Sequence, residues 1–66
     1  MKSLRERAFA SELHSRFAAR EDDLCRPLTD EEVKAEARYQ LEALPFMGYD
    51  SKWTSKATRQ MKSLLK

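Results

Sequence analysis

A chain of 66 residues, 36% of them charged and with a net charge of +2, has room for one small domain and no more. Such a chain buries only about 60% of the surface that its unfolded form exposes, and Cys25, the single cysteine, excludes an internal disulfide. No apolar run is long enough to cross a bilayer or to act as a secretory leader, and a lone thiol fits a reducing compartment, so a cytoplasmic domain is expected.

Glycine and proline are scarce, at one and two residues, while Ala, Leu, Glu, Lys and Arg dominate, which is the composition of a helical protein. The charge is unevenly spread: residues 1–20 carry +3, residues 21–44 carry −5 and residues 45–66 carry +4. That order suggests a central acidic segment lying between two basic ones. Exposed ion pairs contribute only about 0–1 kcal/mol each, so they bias the arrangement of helices without holding it.

Ser3 and Glu6 have the spacing of a capping box, which predicts a first helix from Leu4. Phe9, Leu13 and Phe17 recur every four residues and Leu24 follows seven later, forming one apolar stripe bordered by Ala10. Leu4 projects elsewhere. Pro27 ends the segment, so the helix is expected over 4–24.

Thr29 and Glu32 form a second capping box, with Leu28 and Val33 placed to close a hydrophobic staple and Asp30 and Glu31 favoured by the helix dipole. The second helix is expected over 30–44, its stripe formed by Val33, Ala37, Leu41 and Leu44 with Gln40 among them, and its end set by Pro45. Tyr39, Ala35 and Ala43 lie on another side, a shallow surface for a third helix or a partner. In the connector 45–50, Phe46 and Met47 are expected to cap the core, Gly48 to adopt a positive φ, and Asp50 or Ser51 to cap the next helix.

The last helix is expected over 51–65. Trp53, Ala57, Met61 and Leu64 form its apolar stripe with Gln60 inside it, and Lys52, Lys56, Arg59, Lys62 and Lys66 form a basic face opposite. The fold class is therefore all-α: a three-helix bundle occupying 1–66 as a single domain, with Phe17, Leu41 and Met61 sharing its interior. Self-association is one way to complete a core this small.

Function is less legible. His14 is the only histidine and no nucleophile–base set is evident, so no catalytic residue and no small-molecule substrate are expected. Neither metal-ligand spacing nor a cofactor motif is present. Glu21, Asp22 and Asp23 sit near a helix C-terminus, where the dipole disfavours acids. A basic partner, or the basic helix of the same chain, would explain them.

Two readings remain. The first is a non-enzymatic protein-interaction or regulatory module, meeting another protein or a second copy of itself through Tyr39, Phe46, Met47, Tyr49 and Trp53, since aromatics and Met are enriched in interface centres. In size and composition the chain resembles small helical accessory proteins of bacteriophages and mobile elements. The alternative is nucleic-acid binding, with Lys52, Lys56, Arg59, Lys62 and Lys66 neutralising phosphates. A membrane surface suits the last helix less well, because its apolar face is needed for the core.

Overall fold

The computed structural model describes residues 2–46, 48 and 50–66, and the described residues form an all-α bundle. Helix α1 spans Leu4–Phe9, α2 His14–Leu24, α3 Asp30–Ala43 and α4 Ser51–Leu64, with a 3₁₀ turn at Leu44–Phe46. The domain extents are 32 × 27 × 16 Å. Met47 and Tyr49, two of the expected interaction residues, lie outside the described residues.

The expected first helix over 4–24 is two helices. The break at residues 10–13 is driven by Ser11, whose hydroxyl donates to the Ala8 carbonyl at 2.6 Å and accepts from the Leu13 amide at 3.3 Å. A serine side chain that satisfies nearby backbone groups competes with the helix for them. The Glu12 amide is satisfied from across the bundle, donating to Gln60 Oε1 of α4 at 2.7 Å. A continuous helix over 4–24 would be about 31 Å long at 1.5 Å per residue, matching the longest extent of the whole domain. Breaking it folds α1 back, so that it packs on α2, α3 and α4.

The break also changes which residues face inward. Ala8, Leu13 and Phe17 are buried, whereas Phe9 and Leu24 are half-buried at the margin of the core, and Leu4 joins them there instead of pointing away. Phe17 and Met61 share the interior with Leu28, Val33, Ala37, Leu44, Ala57 and Leu64, and Leu41 packs against it from the edge. On α3 the more deeply buried residue is Gln40. At about 100° per residue it lies nearer the centre of the Val33–Ala37–Leu44 face than Leu41 does.

Helix starts follow the sequence closely. Thr29 and Glu32 form the reciprocal capping box, and both staple residues, Leu28 and Val33, are buried. Ser3 caps α1, accepting from the Glu6 amide, and Asp50 caps α4, accepting from the Lys52 and Trp53 amides. Helix α2 ends on Cys25 in the left-handed conformation, at φ 55°. A residue with a Cβ is strained there by roughly 1–2 kcal/mol. Gly48, at φ 70°, has the expected positive φ.

The first acid of the cluster after Arg20 has a structural explanation. Glu21 accepts a two-point hydrogen bond from the Arg5 guanidinium of α1, with Nη2–Oε1 at 2.9 Å, and also accepts from the Leu28 amide at 3.0 Å. One carboxylate thereby joins α1, α2 and the turn into α3. The Arg5 guanidinium also lies 4.4 Å from the centre of the Phe9 ring. These contacts, the Arg5 hydrogen bonds foremost, lower the Glu21 pKa below its ordinary value. Arg26 grips Glu32 in the same bidentate manner, at 2.7 and 2.8 Å. With the Thr29 backbone N–H as second cause, that grip holds Glu32 down to about 2.

A carboxylate held below its ordinary pKa of 4.5 stabilises the fold above that value, and the benefit is lost as pH falls toward the folded-state pKa. Stability measured by denaturant titration should therefore decline between about pH 4.5 and pH 2, and Glu32→Gln should flatten the decline. At the strained helix end, Cys25→Gly should raise stability by about 1 kcal/mol, seen as a higher midpoint with an unchanged denaturant slope.

Candidate functional site

Three surfaces compete for a functional role, and the packing places each differently. The first lies along α3. Tyr39 is 61% exposed and Phe46 is 88% exposed, and they are the exposed large hydrophobic side chains among the described residues. Phe46 does not cap the core as the connector's composition suggests. Leu44 fills that place, and the 3₁₀ turn carries Phe46 around to the outside. Because the backbone stays helical from Asp30 through Phe46, Tyr39 and Phe46 stand two turns apart on the same side. Trp53, the fifth expected interaction residue, is half-buried and packs on the core margin, away from the exposed class.

Beside Tyr39, helices α2 and α3 diverge and leave a cleft of about 490 Å³. Ala19 and Ala35 keep it open by their small size. Arg16, Arg20 and Asp23 line the α2 wall, and Glu36, Tyr39 and Gln40 the α3 wall. Gln40 is only 2% exposed, and its Nε2 donates to Glu36 Oε1 at 3.0 Å. Its own Oε1 has no hydrogen-bond partner among the described residues. A buried unsatisfied acceptor costs about 1–3 kcal/mol. The cleft thus has a buried amide at its base, charged side chains on both walls and an aromatic side chain at its rim.

The second surface is the basic face of α4. Ala57, Met61 and Leu64 turn inward and are buried, which sends Lys52, Lys56, Arg59, Lys62 and Lys66 to solvent. Lys56 pairs with Glu12 at 3.0 Å. The others make no ion pair among the described residues. Among the described residues no ion pair joins α4 to the acidic segment 21–44, whose Glu21 and Glu32 are engaged by Arg5 and Arg26. Two further residues join this face, and the sequence gave no local hint of them. Arg7 reaches from α1 to α4, where its Nη2 donates to Ser63 O at 3.0 Å and to Ser63 Oγ at 2.8 Å. Lys2 lines a second cleft, along the seam of α1 and α4, together with Arg7 and Ser63.

The third group is titratable. His14 Nδ1 donates to the Ser11 carbonyl at 3.0 Å, which places the ring at the start of α2. Cys25 is exposed at the other end of that helix, with its thiol toward the Asp22 carbonyl. Among the described residues no group of three His, Cys, Asp or Glu side chains is arranged to hold a metal ion, and no helix is long and apolar enough to cross a membrane.

Replacing Gln40 by Met keeps its volume and removes the orphaned acceptor. The melting temperature of Gln40→Met should rise by about 4–8 °C, the shift that 1 kcal/mol produces in a domain of this size. Comparison of the chain with protein-family models, with curated proteins and with solved structures yields no match.

Proposed function

We propose that this chain is a non-enzymatic protein-interaction module whose docking surface is the outer side of α3, with the α2–α3 cleft beside it. The observation that carries this reading is the exposure of Phe46 and Tyr39 on one side of a chain whose core takes in the other described large apolar side chains wholly or in part. Withdrawing a phenylalanine side chain from water is worth about 1.5–3 kcal/mol, a gain that the folded monomer forgoes at Phe46. Aromatic anchors ringed by charge are the usual composition of an interface centre. Arg38 and Glu42, exposed beside Tyr39, supply charge of both signs at the rim. The partner is a second copy of this chain or a different protein, and either would bury the same aromatics.

The surface is tested by the double variant Tyr39→Ala/Phe46→Ser. Both positions are exposed, so far-UV circular dichroism and the melting temperature should stay close to those of the parent. Sedimentation across concentrations, together with affinity capture from nuclease-treated cell extract, should show an association in the parent chain that the variant loses. An association that the variant retains in full would remove this surface from consideration.

A further inference from the structure

We infer that the basic face of α4, extended along its seam with α1 by Lys2 and Arg7, is a nucleic-acid phosphate-binding surface, carried by those two residues together with Arg59, Lys62, Ser63 and Lys66. This inference goes beyond the protein-interaction reading and does not use its residues. It rests on a juxtaposition that only the tertiary structure creates.

A cleft of about 250 Å³ lies along this seam, and none of the residues lining it is acidic. Arg7 crosses from α1 to bond both oxygens of Ser63. At about 100° per residue, Ser63 stands on the α1 side of the basic face of α4, within roughly 60° of Arg59 and Lys66 and about 100° from Lys62. Arg7 therefore adds a fixed cation at the α1 edge of a face that already carries several. The geometry has a second consequence. Because Ser63 Oγ accepts from Arg7, its own hydrogen is free to donate outward, and a guanidinium held through Nη2 still has N–H groups to offer. Fixed guanidinium donors, a hydroxyl and surrounding ammonium groups are the groups that hold backbone phosphates.

Two other polyanions compete for such a surface, and the packing disfavours one of them. A membrane-bound basic helix inserts its apolar face among lipids, whereas Ala57, Met61 and Leu64 are already buried against α1 and α3. An acidic protein lacks the regular phosphate spacing of a nucleic acid along the roughly 20 Å that α4 spans.

The test is fluorescence anisotropy with a labelled 20-base-pair duplex and a single strand of the same length, over a salt series, with poly-glutamate and phosphatidylserine vesicles as controls. With three to four phosphates neutralised, duplex affinity should fall roughly 40- to 150-fold between 50 and 200 mM salt. Arg59→Glu/Lys62→Glu should weaken binding at least about tenfold with an unchanged circular dichroism spectrum, both sites being exposed. Arg7→Gln should weaken it roughly fivefold, and Arg7→Lys, which keeps the charge, should lose less. The variant Tyr39→Ala/Phe46→Ser should bind as the parent does. No nucleic-acid binding at 50 mM salt would overturn the inference. So would equal binding of poly-glutamate or vesicles, or an Arg7→Gln chain with parental affinity.

Discussion

The amide of Glu12 lies in the break between α1 and α2, and its hydrogen bond to Gln60 Oε1 is the contact on which the arrangement turns. A helix break leaves backbone groups that must be satisfied elsewhere, since a buried orphan costs as much as a lost hydrogen bond. Ser11 takes care of the Ala8 carbonyl and the Leu13 amide, and Gln60 takes care of Glu12. Together they fix the angle at which α1 leaves α2. With that angle set, Ala8 and Leu13 both reach the core, and α1 closes over α3 and α4 as a fourth helix. A bundle of three helices would leave one side of this core open.

Closing that side also decides the electrostatics. The chain places acids in its middle and bases at both ends, and the natural expectation is that the middle pairs with both. The fold instead spends its best-placed acids near the N-terminal half: Glu21 on Arg5 and on the Leu28 amide, and Glu32 on Arg26 and on the Thr29 cap. Each carboxylate does two local tasks, which is why both are held in their charged form more firmly than an isolated surface pair would be. Among the described residues, the acid that pairs with a cation of helix α4 is Glu12, which meets Lys56 from within the break itself. Its basic face is left open as a result of where the acids went.

What was legible in the sequence was mainly local. Thr29, Glu32, Leu28 and Val33 specify a helix start through contacts within six residues, and the chain obeys them. The stripe on α4 was legible for the same reason, because a 3.6-residue period needs no knowledge of the partner helix. The break at Ser11 was not. Phe9, Leu13 and Phe17 keep perfect four-residue spacing across it, and the residue that makes it affordable, Gln60, lies 48 positions away. Gln40 and Leu41 show a finer failure: hydrophobicity favoured Leu41 for the interior, whereas angular position favoured Gln40, and position won at the cost of an unpaired oxygen. Arg7 beside Ser63 belongs with the break, since no local pattern could bring 56 positions together.

Phe46 and Gln40 share a cause. Helix α3 must end at Pro45, and the core needs one large side chain at that end. Leu44 enters, and the 3₁₀ turn that follows rotates Phe46 outward, since three residues per turn cannot return both to the same side within two positions. One turn earlier, the same inward face that admits Leu44 carries Gln40, so an amide is drawn inside with it. A single geometric demand, fitting the end of α3 against α4, thus buries a polar group and expels an aromatic one. The first opposes the stability of the isolated monomer through the desolvation of Oε1, and the second forgoes the gain of burying the Phe46 ring. In a domain whose total stability is only about 3–10 kcal/mol, one such penalty and one such forgone gain at the same end of one helix are large. Phe46 stands on the side of α3 that carries Tyr39, and Gln40 lines the cleft beside it, so both departures from ideal packing fall at the proposed docking surface and not on the better-packed faces of α1 or α2.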